Sequence, residues 1–388
     1  MSFEGFKVVD ADSHLTPVAD LWTSRAPAKY KDRILHVENV DGVPHWVNDG
    51  EVLYPERGGG VIDRDGKKYP FHESMTLWGT DQVCEGAYNT DKRLEVLNES
   101  GIHHQVLFPN SVGLGGQDLG TGKDPILKRL CVEIYNDAAV ELQTSSKLRF
   151  LPMPIMPAWD VDLCVAEAER MEKAGMRGVN MTSDPQDLGG PDLASPKWDP
   201  FWEACESLNM PVHFHIGASI TAMNFFGQYF WPSQDVYVKP AIGGSMLFIG
   251  NARVLINTVY AGIFDRFPKL RMVSVESGIG WIPFMNETMD YELWENAPAQ
   301  FKALKRKPSE YFKEHWHATY WFERGGGANL QGIVDAVGED NILFSTDYPH
   351  PTCLYPSPLA SAEENMKTLR ESSKRKILGE NAAKLYRL

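Results

Sequence analysis

The sequence predicts an α/β fold, a distorted (β/α)8 (TIM) barrel, on three observations. Eight short apolar or β-branched runs bounded by Gly, Pro or Asp read as strands. Helical patterns separate most of them, and that alternation argues for a parallel sheet, with eight units arguing for closure. Several strand-like runs finish on His or a carboxylate, as strands do where they converge at the C-terminal mouth of a barrel. The alternative is an open doubly wound sheet, but no G-x-G-x-x-G follows the first strand.

The expected strands are residues 6–12, 102–109, 149–156, 177–181, 211–216, 271–276, 317–321 and 342–347. Helices are expected over 124–144, 161–173, 199–208, 251–267 and 282–296. In the first of these, Ile126, Leu130, Ile134, Ala138 and Leu142 recur at i, i+4 and define an apolar face. A C-terminal helix ending in Asn381-Ala382-Ala383-Lys384-Leu385-Tyr386 should pack outside the barrel. Two stretches break the rhythm. Residues 15–90, rich in Gly, Pro and charge, are too long for an ordinary loop. They read as an insertion after strand one, a lid or subdomain within a single 1–388 barrel domain. Residues 217–250 read as a long mouth loop after strand five, with Phe225, Phe226, Tyr229, Phe230, Trp231 and Tyr237. Such a loop would contact substrate, or form a dimer interface.

Composition narrows the function. The chain has 388 residues, 43% hydrophobic and 23% charged, enough for a sizeable core. The formal net charge of −14 argues against nucleic acid or an acidic membrane surface as partner. No apolar run reads as long enough to span a bilayer. Cys84, Cys131, Cys164, Cys205 and Cys353 are odd in number, widely spaced and without a CxxC pair, which favours a reducing compartment over a disulfide framework. The first residues lack the basic and apolar regions of a signal peptide, so a cytoplasmic protein is expected.

The strand ends carry the chemistry. Asp12 and His14 stand at i and i+2, so a strand would aim both the same way. His213 and His215 repeat that spacing. His215 is nearer the mouth and is the expected metal ligand. His213 lies a layer deeper, as an interior, supporting or substrate-contacting group. Glu276 and Asp347 end apolar strands, where a carboxylate is costly unless paired or metal-bound. Glu276 could ligate, orient or neutralise; Asp347 could ligate and exchange a proton. Asp12 and Asp347 could instead cap turns. His350 and Trp281, close after these strands, are candidate substrate contacts. Arg253, Lys239 and Arg324 are candidate partners for a substrate carboxylate.

In order along the chain, these residues resemble a known family. The landmarks are Val8-Val9-Asp10-Ala11-Asp12-Ser13-His14, Val106-Leu107-Phe108-Pro109, Gly175-Met176-Arg177-Gly178-Val179, Pro211-Val212-His213-Phe214-His215, Phe264-Asp265-Arg266-Phe267-Pro268-Lys269-Leu270-Arg271 and Ser345-Thr346-Asp347-Tyr348-Pro349-His350. The chain resembles the amidohydrolase superfamily, in the group that includes the aminocarboxymuconate-semialdehyde and resorcylate decarboxylases. The resemblance implies a (β/α)8 barrel and one divalent ion, zinc first and manganese second, on Asp12, His14, His215 and Asp347. It implies a small aromatic or cyclic substrate and a homodimer or homotetramer. Asp12 stands where the family often has a first His. Glu276 stands where the family normally ends strand six on a catalytic His. Two chemistries fit: nonoxidative decarboxylation with Asp347, Glu276 and His215 as catalytic groups, or hydrolysis by a metal-activated water. The aromatic stretch after strand five suits a flat apolar substrate. A barrel that has lost its metal is the non-enzymatic alternative.

Overall fold

A computed structural model describes residues 5–228, 230–325 and 329–388, without the side chains of 225–228. Among the described residues, twelve strands occur in chain order: β1 Val9–Asp10, β2 His14–Leu15, β3 His36–Val40, β4 Val43–Asn48, β5 Glu51–Pro55, β6 His104–Pro109, β7 Phe150–Pro152, β8 Val179–Asn180, β9 Val212–His215, β10 Met272–Val275, β11 Trp316–Tyr320 and β12 Ile342–Phe344. β1 and β2 pair in parallel with β6, and β6 with β7. A second parallel sheet runs β12-β11-β10-β9-β8. Two seams join the sheets into a ring. At one, Ser13 bridges Tyr348 in parallel and Ala11 N–H donates to Phe344 O at 2.8 Å. At the other, Ile155 bridges Asn180, whose N–H donates to Pro154 O at 2.8 Å. The result is a TIM-barrel-like α/β fold with β1 and β2 sharing one stave.

Several staves are shorter than the sequence patterns. The 177–181 pattern keeps two paired residues, Val179 and Asn180. The interior is filled by Val9, Ala11, Val106, Leu151, Met153, Val273, Val275 and Leu343, all buried. A second apolar layer lies between the sheet and the helices that cover it.

The excursion between β2 and the helix Thr90–Ser100 contains the antiparallel meander β3-β4-β5. Trp46 of β4 packs edge-on against Trp22 at 5.4 Å, and both join Leu127, Cys131 and Ile134 of the helix Pro125–Ser145. That helix packs most of the expected face inward, with Ile134 buried and Leu130, Ala138 and Leu142 partly buried against the core. Leu127, Cys131, Ile134 and Ala139 are buried, whereas Ile126 is exposed. The 251–267 helix is broken: Ala252–Tyr260 ends, Gly262 turns at φ +64°, and Ile263–Arg266 resumes.

Three further expectations are corrected. The stretch after β9 is helical over Ile220–Gln228 and Lys239–Phe248, where a loop was expected. Of its aromatics, the side chains of Phe225 and Phe226, and all of Tyr229, lie outside the described residues. Residues Lys239–Tyr260 are, by length and composition alone, apolar enough to cross a membrane, contrary to the sequence expectation. They form two helices split at 249–251, and the second buries Val254, Leu255 and Val259 in the core. Finally, the helix Asn381–Tyr386 does not lie outside the barrel. Its Ala382 and Tyr386 join the interior cluster, and Tyr386 OH meets His213 Nε2 at 2.9 Å. The chain leading into it passes so close to the first stave that a Cβ at Gly379 would sit 1.9 Å from Lys7 O.

Candidate metal centre

Six side chains from four places in the chain meet at the mouth. His14 Nε2 lies 3.7 Å from Asp12 Oδ1 and 3.6 Å from Asp347 Oδ1. His215 Nε2 lies 3.5 Å from Asp12 Oδ1 and 3.4 Å from Glu276 Oε2. His350 Nδ1 stands 3.2 Å from Asp347 Oδ1, and its ring stacks on His14 at 3.7 Å. One ligand atom from each of Asp12, His14, His215 and Glu276 falls within a 4.8 Å cluster, as does one from each of His14, Glu276, Asp347 and His350.

The local backbone explains how they converge. Strand pairing is interrupted between Asp10 and His14, so Asp12 reaches the mouth while Asp10 faces Gln105. Glu276 and Asp347 both adopt left-handed backbone, φ +55° each, just past their strands. An L-residue held there stores strain, a recurrent feature of functional sites. Thr319 Oγ1 accepts from Glu276 N–H at 2.8 Å, and Asp12 O accepts from Asp347 N–H at 2.9 Å.

The tautomers follow from the partners. His14 Nδ1 faces Pro109 O at 3.3 Å and His215 Nδ1 faces Ile216 O at 2.8 Å. A carbonyl only accepts, so each Nδ1 carries the proton and each Nε2 turns a lone pair inward. Both Nε2 atoms, both Asp12 oxygens and Asp347 Oδ1 are buried without a hydrogen-bond partner. An orphaned buried polar atom costs about 1–3 kcal/mol, so five at one point call for a ligand. Two inward imidazole lone pairs beside two or three carboxylates match the donor chemistry of a divalent zinc or manganese ion.

Burial and neighbouring charge shift four of these groups. Burial pushes Glu276 well above the usual carboxylate range, and the nearby Asp347 and Asp12 push it further. Burial also raises Asp12, against the opposing pull of His215. Burial lowers His14 far below the usual imidazole value, with His350 and His215 adding to it. Burial alone would lower His215, but the Asp12 carboxylate beside it leaves it raised.

Other expected residues lie elsewhere. His213 is completely buried one layer down, bonded to Val179 O at 3.0 Å and to Tyr386, so the expectation of a substrate contact is corrected. Arg253 makes a two-pronged pair with Asp184 at 2.6 and 2.5 Å and does not line the mouth cavity. Trp281 donates to Ser277 O at 3.0 Å and packs against the outer core, also away from that cavity. Lys239 donates to Pro232 O and Arg324 to Asn365 Oδ1, neither at the cavity wall. His350 and Glu276 do line it.

Sequence reasoning missed the support beneath the ligands. Asp10 is buried and takes hydrogen bonds from Gln105 at 2.8 Å and from Thr346 Oγ1 at 2.6 Å. Burial dominates these bonds and raises it to about 7. Arg93, fully buried on the helix Thr90–Ser100, donates to Gln105 Oε1, to Gly86 O and to His14 O. Thr352 donates to Asp347 Oδ2 at 2.6 Å. A carboxylate inside an apolar strand was the available signal for Asp10; Arg93 sits in an ordinary charged helix pattern and gave none.

Comparison with known proteins places the chain. An amidohydrolase family model matches residues 10–388. The gamma-resorcylate decarboxylase of Rhizobium radiobacter is 26% identical over 310 residues, covering 77% of this chain and 87% of that protein. Among solved structures, an amidohydrolase from Mycobacterium avium subsp. paratuberculosis superposes with a TM-score of 0.76 at 21% identity, over 98% of this chain and 99% of that one. A dihydroxybenzoic acid decarboxylase from a Polaromonas species, solved with bound manganese and 2-nitroresorcinol, superposes with a TM-score of 0.62 at 18% identity, over 99% and 97%. With the family model matched over nearly its full length, this chain belongs to the amidohydrolase family.

Proposed function

We propose that the protein is a metal-dependent carboxy-lyase that removes carbon dioxide nonoxidatively from an aromatic or cyclic carboxylate. The observation that carries this reading is the convergence of orphaned His14, His215, Asp12 and Asp347 donor atoms beside a cavity lined by Glu276. The names of the related proteins, resorcylate and dihydroxybenzoic acid decarboxylases, support the choice of lyase over hydrolase. Asp12, His14, His215 and Asp347 would hold the ion. The two imidazoles suit zinc, and the carboxylates raise the standing of manganese relative to an all-histidine set. When bound, a divalent ion there supplies Lewis-acid polarisation of the substrate oxygens.

The protein's own groups handle the proton. Glu276 lines the cavity, where its carboxyl can reach a substrate. Asp347 is fully buried, with Oδ2 held by Thr352. We therefore place the transferred proton on Glu276. It passes to the ring carbon that bears the carboxylate. The bond from that carbon to the carboxyl carbon then breaks, its electron pair stays on the ring, and carbon dioxide leaves. Glu276 regains a proton from solvent. His350, donating to Asn110 Oδ1 at 2.9 Å, borders the cavity as a substrate contact.

The wider reading is of one barrel domain over 1–388, with 15–90 as an inserted lid; Phe71 and Met75 from that segment reach the cavity wall. The five cysteines, all unpaired, support a reducing, cytoplasmic setting. A homodimer or homotetramer is expected. The test is to supply zinc- or manganese-loaded protein with hydroxybenzoates. Carbon dioxide release with no water consumed supports the lyase. A product that incorporates oxygen from labelled water would assign the site to a hydrolase.

A further inference from the structure

The cavity beside Glu276 has a volume of about 860 Å³. That is several times what one ring requires, since a cavity of about 150 Å³ holds benzene. Three of its polar side chains, Asn110, Gln117 and Asp118, are already engaged. Asn110 donates to Thr16 and Gly59 O, and its oxygen accepts from His350. Gln117 accepts from Gly115 N–H and donates to Gly217 O. Asp118 is bonded to Tyr54, and burial raises it to about 6. The outer wall is apolar: Met75, Leu114, Met223, Tyr237, Leu247 and Phe248. Among the described residues, no Lys or Arg lines the cavity. Arg253, the nearest sequence candidate for that role, is tied to Asp184.

A wall of this kind offers a second carboxylate no cationic partner. It rewards an alkyl or aryl extension by burial. Resting on the decarboxylase reading above, we infer that the substrate is an amphipathic aromatic monoacid. Its acid group sits at the Asp12–Asp347 end, and a bulky apolar substituent fills the space toward the helix Lys239–Phe248. Gly244 on that helix lines the cavity, and a Cβ there would meet no atom within 4 Å. The position can therefore take a larger side chain into the space the substituent would use.

The test is calorimetric binding to the metal-loaded full chain. The probes are 2,4-dihydroxy-6-alkylbenzoates with methyl, propyl and pentyl chains, the matching alkylresorcinols, and 4-hydroxyisophthalate as a dicarboxylate. Carbon dioxide release is followed in parallel. Affinity should rise about three- to fourfold per methylene, roughly a hundredfold from methyl to pentyl. The dicarboxylate should bind at least tenfold more weakly than the pentyl acid. In Gly244→Leu, the pentyl-to-methyl affinity ratio should fall at least tenfold. A flat or inverted series, with carbon dioxide still released from the methyl acid, overturns the inference and leaves the decarboxylase standing. So does a dicarboxylate that binds as well as the pentyl acid. Chain-length dependence with the alkylresorcinols, but no carbon dioxide from any acid, upholds the apolar site and overturns the decarboxylase.

Discussion

His215 and Asp347 have opposite jobs in the same few ångströms. His215 donates through Nδ1 to Ile216 O and keeps Nε2 bare, which is the arrangement of a ligand rather than of a structural histidine. His215→Ala should therefore purify with less than about a tenth of the wild-type metal content; full occupancy would move the ligand role elsewhere. Asp347→Asn removes a charge at a fully buried position and keeps the shape, so turnover should fall at least about a hundredfold with the fold retained. Near-wild-type activity would sink its assigned role. Glu276→Gln should keep its metal but lose turnover, because the amide cannot pass a proton. At this scale the strand-ending residues Asp12, His14, His215, Glu276 and Asp347 gather at the mouth as the sequence placed them. Sequence reading failed where depth mattered. His213 and His215 share a spacing and a face, yet two residues along a strand separate a barrel floor from a barrel mouth. Arg253 and Trp281 were chosen by their place in the chain, which says nothing of the partner that takes the side chain.

The helix Thr90–Ser100 is the element with the most leverage on the site. Asn89 caps it by accepting from the N–H groups of Asp91 and Lys92, so Asn89→Ala should cost about 1 kcal/mol, read from a denaturant midpoint. One turn in, Arg93 ties Gly86, Gln105 and His14 O together without solvent. Arg93→Leu should weaken metal affinity about ten- to a hundredfold, as loss of groups supporting ligands does. Unchanged affinity, measured by competition with a chelator, would show that Arg93 serves stability alone. Elements with a strong period and a clear end were legible, such as the helix Val161–Lys173, whose bounds coincide with the expected ones. The helix Pro125–Ser145 was legible in extent and in most of its face, Ile126 excepted. An i, i+4 row drifts around a 3.6-residue helix, and the meander β3-β4-β5 covers part of a surface that would otherwise meet water. The helices after β9 were read as a loop because aromatics, Gly and Pro mask the helical period there.

At the scale of the whole molecule, the barrel is closed from below by the helix Asn381–Tyr386. Tyr386 reaches His213, and burial lowers that imidazole to about 4. A histidine whose folded pKa lies below its unfolded value of about 6.5 stays neutral in the fold, while the unfolded chain takes up the proton. Its contribution is therefore intact above pH 6.5 and is lost as pH falls from about 6.5 to about 4, on the order of 3 kcal/mol. Denaturant midpoints should drop through that window, and His213→Gln should flatten the slope; an equal slope in both proteins would place the acid sensitivity elsewhere. The ring of parallel strands was legible in the sequence because strand and helix alternate. The C-terminal plug was not, since a short amphipathic helix reads the same inside a barrel's floor as on its flank. The barrel gathers donor atoms that need an ion. The most direct measurement is elemental analysis of the purified protein by plasma mass spectrometry, before and after chelation, with carbon dioxide release assayed on the same samples. About one equivalent of zinc or manganese, removed by chelator together with the activity and restored with it, is the expected result. A protein that takes up no divalent ion even on reconstitution would contradict the metal centre and the carboxy-lyase built upon it.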